Sequence, residues 1–106
     1  MRRAERYRSA GCDGIFVPAL ADGRAIEAVA AAIDPLPLNI MLMPGLPSTT
    51  VLRTQGVRRL SAGSAIAQAA LGLTSRLATD FLAGSWDDMF TTAADYSATN
   101  RLFQID

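Results

Sequence analysis

The apolar run Leu38-Asn39-Ile40-Met41-Leu42-Met43, which Pro44 and Gly45 close, decides the fold. Six residues are too few for a helix of ordinary length, and the run lacks the polar alternation of a half-exposed strand. A strand that is buried on both faces of a parallel sheet has this pattern. We therefore predict a buried strand near 38–43, in which Asn39 is the one polar member.

Two further runs flank this strand at similar spacing. Gly-Ile-Phe-Val-Pro at 14–18 precedes it, and Val-Arg-Arg-Leu-Ser at 57–61 follows it between two glycines. Helical patterns separate the runs, and each begins at a residue that caps helices well, Asp22 in the first case and Ser48 in the second. Strands that alternate with helices are parallel and are joined by right-handed crossovers.

The remainder of the chain is predicted to be helical. A long helix near 64–82 places an apolar stripe along one side, and a C-terminal helical arm near 86–104 follows it. Two interpretations of these apolar positions stay open. The positions belong either to a core within the chain itself or to a contact with another subunit. The positions are Ile66, Ala69, Ala70, Leu73, Leu77 and Phe81 in the stripe, and Trp86, Met89 and Phe90 in the arm.

Three parallel strands with helices on one flank make an unfinished sheet, because both edges stay unpaired and one face stays uncovered. More strands would close it, and the spacing of about 20 residues per strand is that of a (β/α)8 barrel, which needs roughly 250 residues. We predict an α/β fold: residues 1–106 form a single partial-barrel domain, the C-terminal part of a TIM-type barrel with about three strands and the helices that follow.

Composition excludes several classes of function. The 106 residues carry ten arginines, no lysine and ten acidic residues, so a net charge of zero does not favour nucleic acid. There is no histidine and only Cys12 as cysteine, which excludes a disulfide framework and Ser-His or Cys-His pairs. No apolar run approaches the ~20 residues of a membrane span. We expect a cytoplasmic protein that binds neither nucleic acid nor membranes.

Four segments, in this order and spacing, resemble the isocitrate lyase and phosphoenolpyruvate mutase superfamily. The likeness is to its phosphonomutase and carboxyvinyl-carboxyphosphonate phosphorylmutase-like branch, and it covers nearly all of the chain. The segments are Ala-Gly-Cys-Asp-Gly-Ile-Phe-Val-Pro at 10–18, Pro-Leu-Asn-Ile-Met at 37–41, Pro-Gly-Leu-Pro-Ser at 44–48 and Gly-Val-Arg-Arg-Leu-Ser-Ala-Gly at 56–63.

This resemblance implies a barrel enzyme to which the chain supplies the sixth to eighth strands. Members of the family bind Mg²⁺ and a small oxoacid or phosphonate, and they make or break C–C or P–C bonds. Their metal-binding acids lie in the first half of the barrel, so no Mg²⁺ ligand is evident in this chain. Pro18 stands where lyase relatives carry a glutamate, which argues against a methylisocitrate-type substrate. The family exchanges its terminal helix between subunits, so a homo-oligomer is expected, or association with a missing N-terminal half-barrel.

Four residues are the candidates for the site. The resemblance places an active-site asparagine on the strand of Asn39, although a buried amide also needs hydrogen-bond partners for structural reasons alone. Ser48 either contacts substrate or only caps a helix. Gly63 and Ser64 lie between the last strand and the long helix, where barrels often bind phosphate with backbone N–H groups.

Two hypotheses of function follow. In the first, the chain is a portion of a Mg²⁺-dependent lyase or phosphonomutase that acts on a small molecule, with Asn39 as an active-site contact. In the second, it is a truncated, non-catalytic half-barrel that associates with another chain. Under both hypotheses the isolated chain is expected to be inactive, because no carboxylate at the end of a predicted strand has a partner for acid-base catalysis.

Overall fold

The computed structural model describes residues 2–104, and the chain divides into two compact units with the boundary after Ile66. The first unit holds a three-stranded parallel sheet in the order β1-β2-β3. The predicted α/β class with three parallel strands is confirmed. The elements of this unit are α1 (Arg2–Ser9), β1 (Ile15–Val17), α2 (Gly23–Ile33), β2 (Leu38–Met41), α3 (Thr49–Thr54) and β3 (Val57–Ser61).

Side-chain hydrogen bonds cap both ends of the crossover helix α2. The Asp22 carboxylate accepts a hydrogen bond from the Ala25 backbone N–H at 2.8 Å, which satisfies one of the unpaired donors of the first turn. At the other end, the Arg8 guanidinium donates to the backbone oxygens of Ile33 at 2.6 Å and Asp34 at 3.0 Å. A cation that binds the last carbonyls of a helix also opposes the negative end of its dipole.

The core of the first unit lies between one face of the sheet and the crossover helices. Its buried members are contributed by all three strands and by α2 and α3, so the sheet and both helices depend on the same apolar contacts. Ile40, in the central strand, has no exposed surface. The buried residues are Ile15, Ile26, Ile33, Leu38, Ile40, Leu52 and Val57.

The opposite face of the sheet, which we call the open face, carries the alternate residues of the strands. Phe16 lies there with half of its surface exposed, and Arg59 is exposed as well. The other members, Asn39, Met41 and Ser61, are half-buried. Because side chains alternate along a strand, every residue of this face is excluded from the helix-covered core.

A register shift in β3 decides which of two neighbouring arginines reaches the open face. Leu38 pairs with Val57, whereas the next residue, Asn39, pairs with Arg59. Arg58 is therefore the extra residue of a bulge, and its guanidinium donates to the backbone oxygens of Arg53 and Val57, both at 3.2 Å. Arg59 is left directly beside Asn39.

The second unit consists of the greater part of α4 (Ala65–Leu82) together with α5 (Asp87–Thr92) and α6 (Tyr96–Arg101). Arg76 joins α4 to α5, with its guanidinium 2.9 Å from the Asp88 carboxylate and 3.8 Å from that of Asp80. No described residue of these three helices is buried, and the apolar side chains of the stripe and the arm stay largely exposed. Among residues 2–104, no helix has both the length and the hydropathy to cross a membrane.

Ile40→Ala tests the shared core. We expect a loss of about 2–5 kcal/mol in the free energy of unfolding, because the side chain is fully buried and leaves a cavity. Urea unfolding followed by circular dichroism measures it. Ile66→Ala is the matched control, since Ile66 is 73% exposed and should change stability by less than ~0.5 kcal/mol. Equal effects of the two changes would contradict this account of the core.

Arg8→Ala tests the cap of α2. Loss of both hydrogen bonds to the last carbonyls should lower the free energy of unfolding by about 1 kcal/mol, because these acceptors then face water without a cation. Arg6→Ala removes the same charge from the same exposed helix and serves as the control. The cap is disproved if both variants unfold at the same urea concentration.

Candidate functional site

The Asn39 side chain, on the open face, is held by Ser61. Its amide Nδ2 donates to the Ser61 hydroxyl at 2.9 Å, and that hydroxyl in turn donates to Asn39 Oδ1 at 3.2 Å. Asn39 pairs with Arg59 in the sheet. Ser61 follows Arg59 by two residues in β3, so it lies diagonally across from Asn39, toward the carboxyl end of the strands. The amide therefore points to the end of the sheet where parallel α/β proteins bind ligands.

The hydroxyl of Ser61 uses only part of the amide's bonding capacity. A primary amide has two N–H donors and an oxygen with two lone pairs, whereas one hydroxyl engages one donor and one lone pair. The remaining donor and lone pair of Asn39 are available to a ligand on the open face. This arrangement is polar, half-buried and restricted in rotation, as a contact with a small polar molecule requires.

Arg59 adds a positive charge to the same face. A pocket of about 250 Å³ lies beside it toward the amino ends of the strands, with Asp13, Gly14, Pro37, Asn39 and Arg59 among its lining residues. Asp13 precedes β1 and so lies toward the amino end of the strands. Among the described residues, neither Asp13 nor Arg59 has an ion pair within 4.0 Å.

Ser48 occupies the N-cap position of α3. Its hydroxyl accepts a hydrogen bond from the Val51 backbone N–H at 3.4 Å, which is long for this type of bond. The capping role that the sequence suggests is therefore present. Ser48 is exposed and does not contact the Asn39–Ser61 pair through a hydrogen bond, so its predicted contact with substrate stays a prediction.

Gly63 and Ser64 lie directly before α4. Gly63 has a φ of +59°, and a Cβ at this position would come within 3.0 Å of Met41 Sδ on the open face. The left-handed backbone favours glycine here, and the Met41 side chain would have to shift by a few tenths of an ångström to admit a Cβ. Both residues follow Ser61 closely in the chain, but the predicted phosphate contact of their backbone N–H groups stays untested.

The described residues do not fit a metal centre. Between Arg2 and Gln104 there is no group of three or more His, Cys, Asp or Glu side chains that would hold an ion. On the open face, Asp13 is the one carboxylate among the pocket residues named above. The Mg²⁺ expected from the family therefore finds no ligand set in this part of the chain.

Sequence patterns singled out Asn39 but neither Ser61 nor Arg59, its two neighbours on the open face. In the sequence, Arg59 and Ser61 are marked only as members of the third strand run at 57–61. The one polar residue of β2 is visible in the sequence, whereas the bulge at Arg58 has no evident sequence signal. Without the bulge, Arg58 and not Arg59 would lie beside Asn39.

Taken together, the parallel sheet and the polar residues toward its carboxyl end define an α/β protein with a candidate site for a small polar ligand. The family model described as phosphoenolpyruvate phosphomutase matches residues 1–82. No curated protein matches the chain. Two solved structures from Burkholderia cenocepacia J2315 are similar to it, one a proposed lyase/mutase and the other a proposed phosphonomutase.

The likeness to these structures covers most of this chain but a minor part of theirs. The lyase/mutase is 36% identical, with a TM-score of 0.85 over 98% of this chain and 38% of its own. The phosphonomutase is 37% identical, with a TM-score of 0.67 over 74% of this chain and 31% of its own. The chain belongs to the phosphoenolpyruvate phosphomutase family, within the isocitrate lyase and phosphoenolpyruvate mutase superfamily, which confirms the resemblance. It spans little more than a third of the lyase/mutase.

A double-mutant cycle tests the contact between Asn39 and Ser61. We expect Asn39→Ala, Ser61→Ala and the double variant to give a coupling free energy of about 0.5–1.5 kcal/mol, because two hydrogen bonds join these half-buried side chains. Urea unfolding of the four proteins measures it. The same cycle with Ser64 in place of Ser61 is the control, and a coupling of equal size there would contradict a specific contact.

Proposed function

We propose that this chain forms part of a barrel enzyme that acts on a small oxoacid or phosphonate and makes or breaks a C–C or P–C bond. The observation that carries the proposal is the Asn39 amide, half-buried on the open face and oriented by Ser61 toward the carboxyl ends of the strands. Family membership supports the class of reaction, since the similar structures are named as a lyase/mutase and a phosphonomutase.

In this proposal Asn39 stabilises the negative charge that develops on a substrate oxygen. Its remaining N–H donor is fixed before substrate binds, so no reorientation is needed when an enolate-like oxygen forms. Asn39 does not transfer a proton, because an amide does not titrate in the physiological range. The acid-base groups of the reaction would have to come from residues other than those on the open face.

Mg²⁺ is proposed as the cofactor of the complete enzyme, where it would polarise the substrate's oxygens. The residues between Arg2 and Gln104 supply no fitting ligand set, so its ligands are proposed to lie on other strands of the barrel. No step assigned to Asn39 runs through the metal.

The rest of the barrel is proposed to cover the open face and to pair with the edges of the sheet. The half-exposed Phe16 supports this proposal, as do the outer edges of β1 and β3, which lack a neighbour within the described sheet. The additional strands would come from other residues of the same protein or from a second chain, and homo-oligomers are proposed on the same ground. The free thiol of Cys12 is compatible with a reducing, cytoplasmic compartment.

Turnover tests the proposal. The barrel completed by the remaining strands is assayed with Mg²⁺ for loss of oxaloacetate and of phosphonopyruvate, and Asn39→Ala in it is expected to reduce kcat by about 10²–10³, the usual cost of one oxyanion donor. The control is Asn100→Ala, which removes the chain's other asparagine side chain at an exposed position of α6. Unchanged kcat in Asn39→Ala would refute the role of Asn39.

The alternative proposal is a non-catalytic half-barrel that associates with another chain, and the open face is the observation that favours it. The same assays separate the two. Turnover by the purified chain that depends on Asn39 defeats the alternative. Absence of turnover of both substrates by the completed barrel, combined with a native mass of the purified chain well above 11.2 kDa, supports it.

A further inference from the structure

We propose that Met41 is a specificity-determining residue, whose thioether selects substrates with an unsubstituted methylene group beside the carbon that carries the oxygen bound by Asn39. This inference rests on the proposed function for the reaction. It narrows the substrate class to small oxoacids or phosphonates in which a CH2 group adjoins that carbon.

The position of Met41 is the first support. Met41 is the next residue after Asn39 on the open face, because side chains alternate along β2. It pairs with Ser61, the residue whose hydroxyl holds the Asn39 amide. Met41 therefore lies on the carboxyl side of Asn39, which is the side from which parallel barrels admit their ligands. Its side chain is half-buried, so part of it is accessible on this face.

The contact with Gly63 is the second support. A Cβ on Gly63 would lie 3.0 Å from Met41 Sδ and 3.2 Å from its Cγ, so the glycine backbone packs against the middle of the Met41 side chain. Methionine is otherwise a flexible side chain with three rotatable bonds. Packing against Gly63 limits that freedom and gives the candidate site an apolar boundary next to Ser61.

The chemistry of the thioether sets the preference. A thioether accepts hydrogen bonds only weakly and donates none. A hydroxyl or charged group of a ligand placed against it loses water without gaining a partner, whereas a methylene group is buried favourably. When the free N–H of Asn39 binds a substrate oxygen, the substrate atoms that extend toward the carboxyl ends of the strands pass Met41. Those atoms are therefore expected to be apolar and small.

The ratio of kcat/KM for oxaloacetate to kcat/KM for its 3-methyl derivative, measured in the completed barrel with Mg²⁺, tests the inference. Met41→Ala is expected to lower this ratio about tenfold, because the space it opens admits the extra methyl group. Met41→Leu keeps an apolar side chain of similar volume and should leave the ratio within about threefold. Met41→Gln keeps the length but adds a polar amide, so kcat/KM for oxaloacetate itself should fall about tenfold.

Leu42→Ala is the matched control. It truncates an apolar side chain one residue further along, which alternation directs away from Met41 and which is 44% exposed, so the ratio should change by less than about twofold. Equal changes in Leu42→Ala and Met41→Ala overturn the inference. An unaltered ratio in Met41→Ala, with kcat still dependent on Asn39, overturns the inference and leaves the proposed function standing. Absence of turnover by the completed barrel removes both. Should Met41→Ala fail to fold, an unchanged kcat/KM in Met41→Gln counts against the role of Met41.

Discussion

The arrangement of this chain depends on the alternation of side chains along β2. Leu38 and Ile40 face the crossover helices and are buried in the core, so Asn39 and Met41 must lie on the open face. The helices α2 and α3 can cover only one side of the strand. The core and the candidate site are therefore two consequences of one constraint, and a slip of the strand by a single residue would exchange them.

Much of the first unit follows from local signals in the sequence. The apolar runs mark the strands because a doubly covered strand tolerates few polar residues, and capping residues such as Asp22 mark the helices because their side chains satisfy backbone donors. Asn39 was predictable as a candidate site residue for the same reason. A polar amide within an apolar strand needs partners, whether they come from the protein or from a ligand.

Other features were not accessible from the sequence, because they depend on how distant segments meet. Ser61 is identified as the partner of Asn39 only when the register of β2 and β3 is known. The same holds for the bulge that separates the roles of Arg58 and Arg59. The stripe of α4 shows a further limit: its periodicity predicts a helix with an apolar side, but periodicity alone does not say what covers that side.

The open face places a condition on whatever completes the sheet. Covering an aromatic ring such as Phe16 is favourable, whereas covering an unpaired guanidinium costs several kcal/mol. Additional strands could bury Phe16 only if Arg59 kept access to water or gained an anion as a partner. In a closed barrel the interior is dry and packed, so the first alternative requires that the guanidinium reach solvent at one end of the barrel. Otherwise burial of Arg59 requires a negative charge as its partner, supplied either by a neighbouring carboxylate or by a bound substrate.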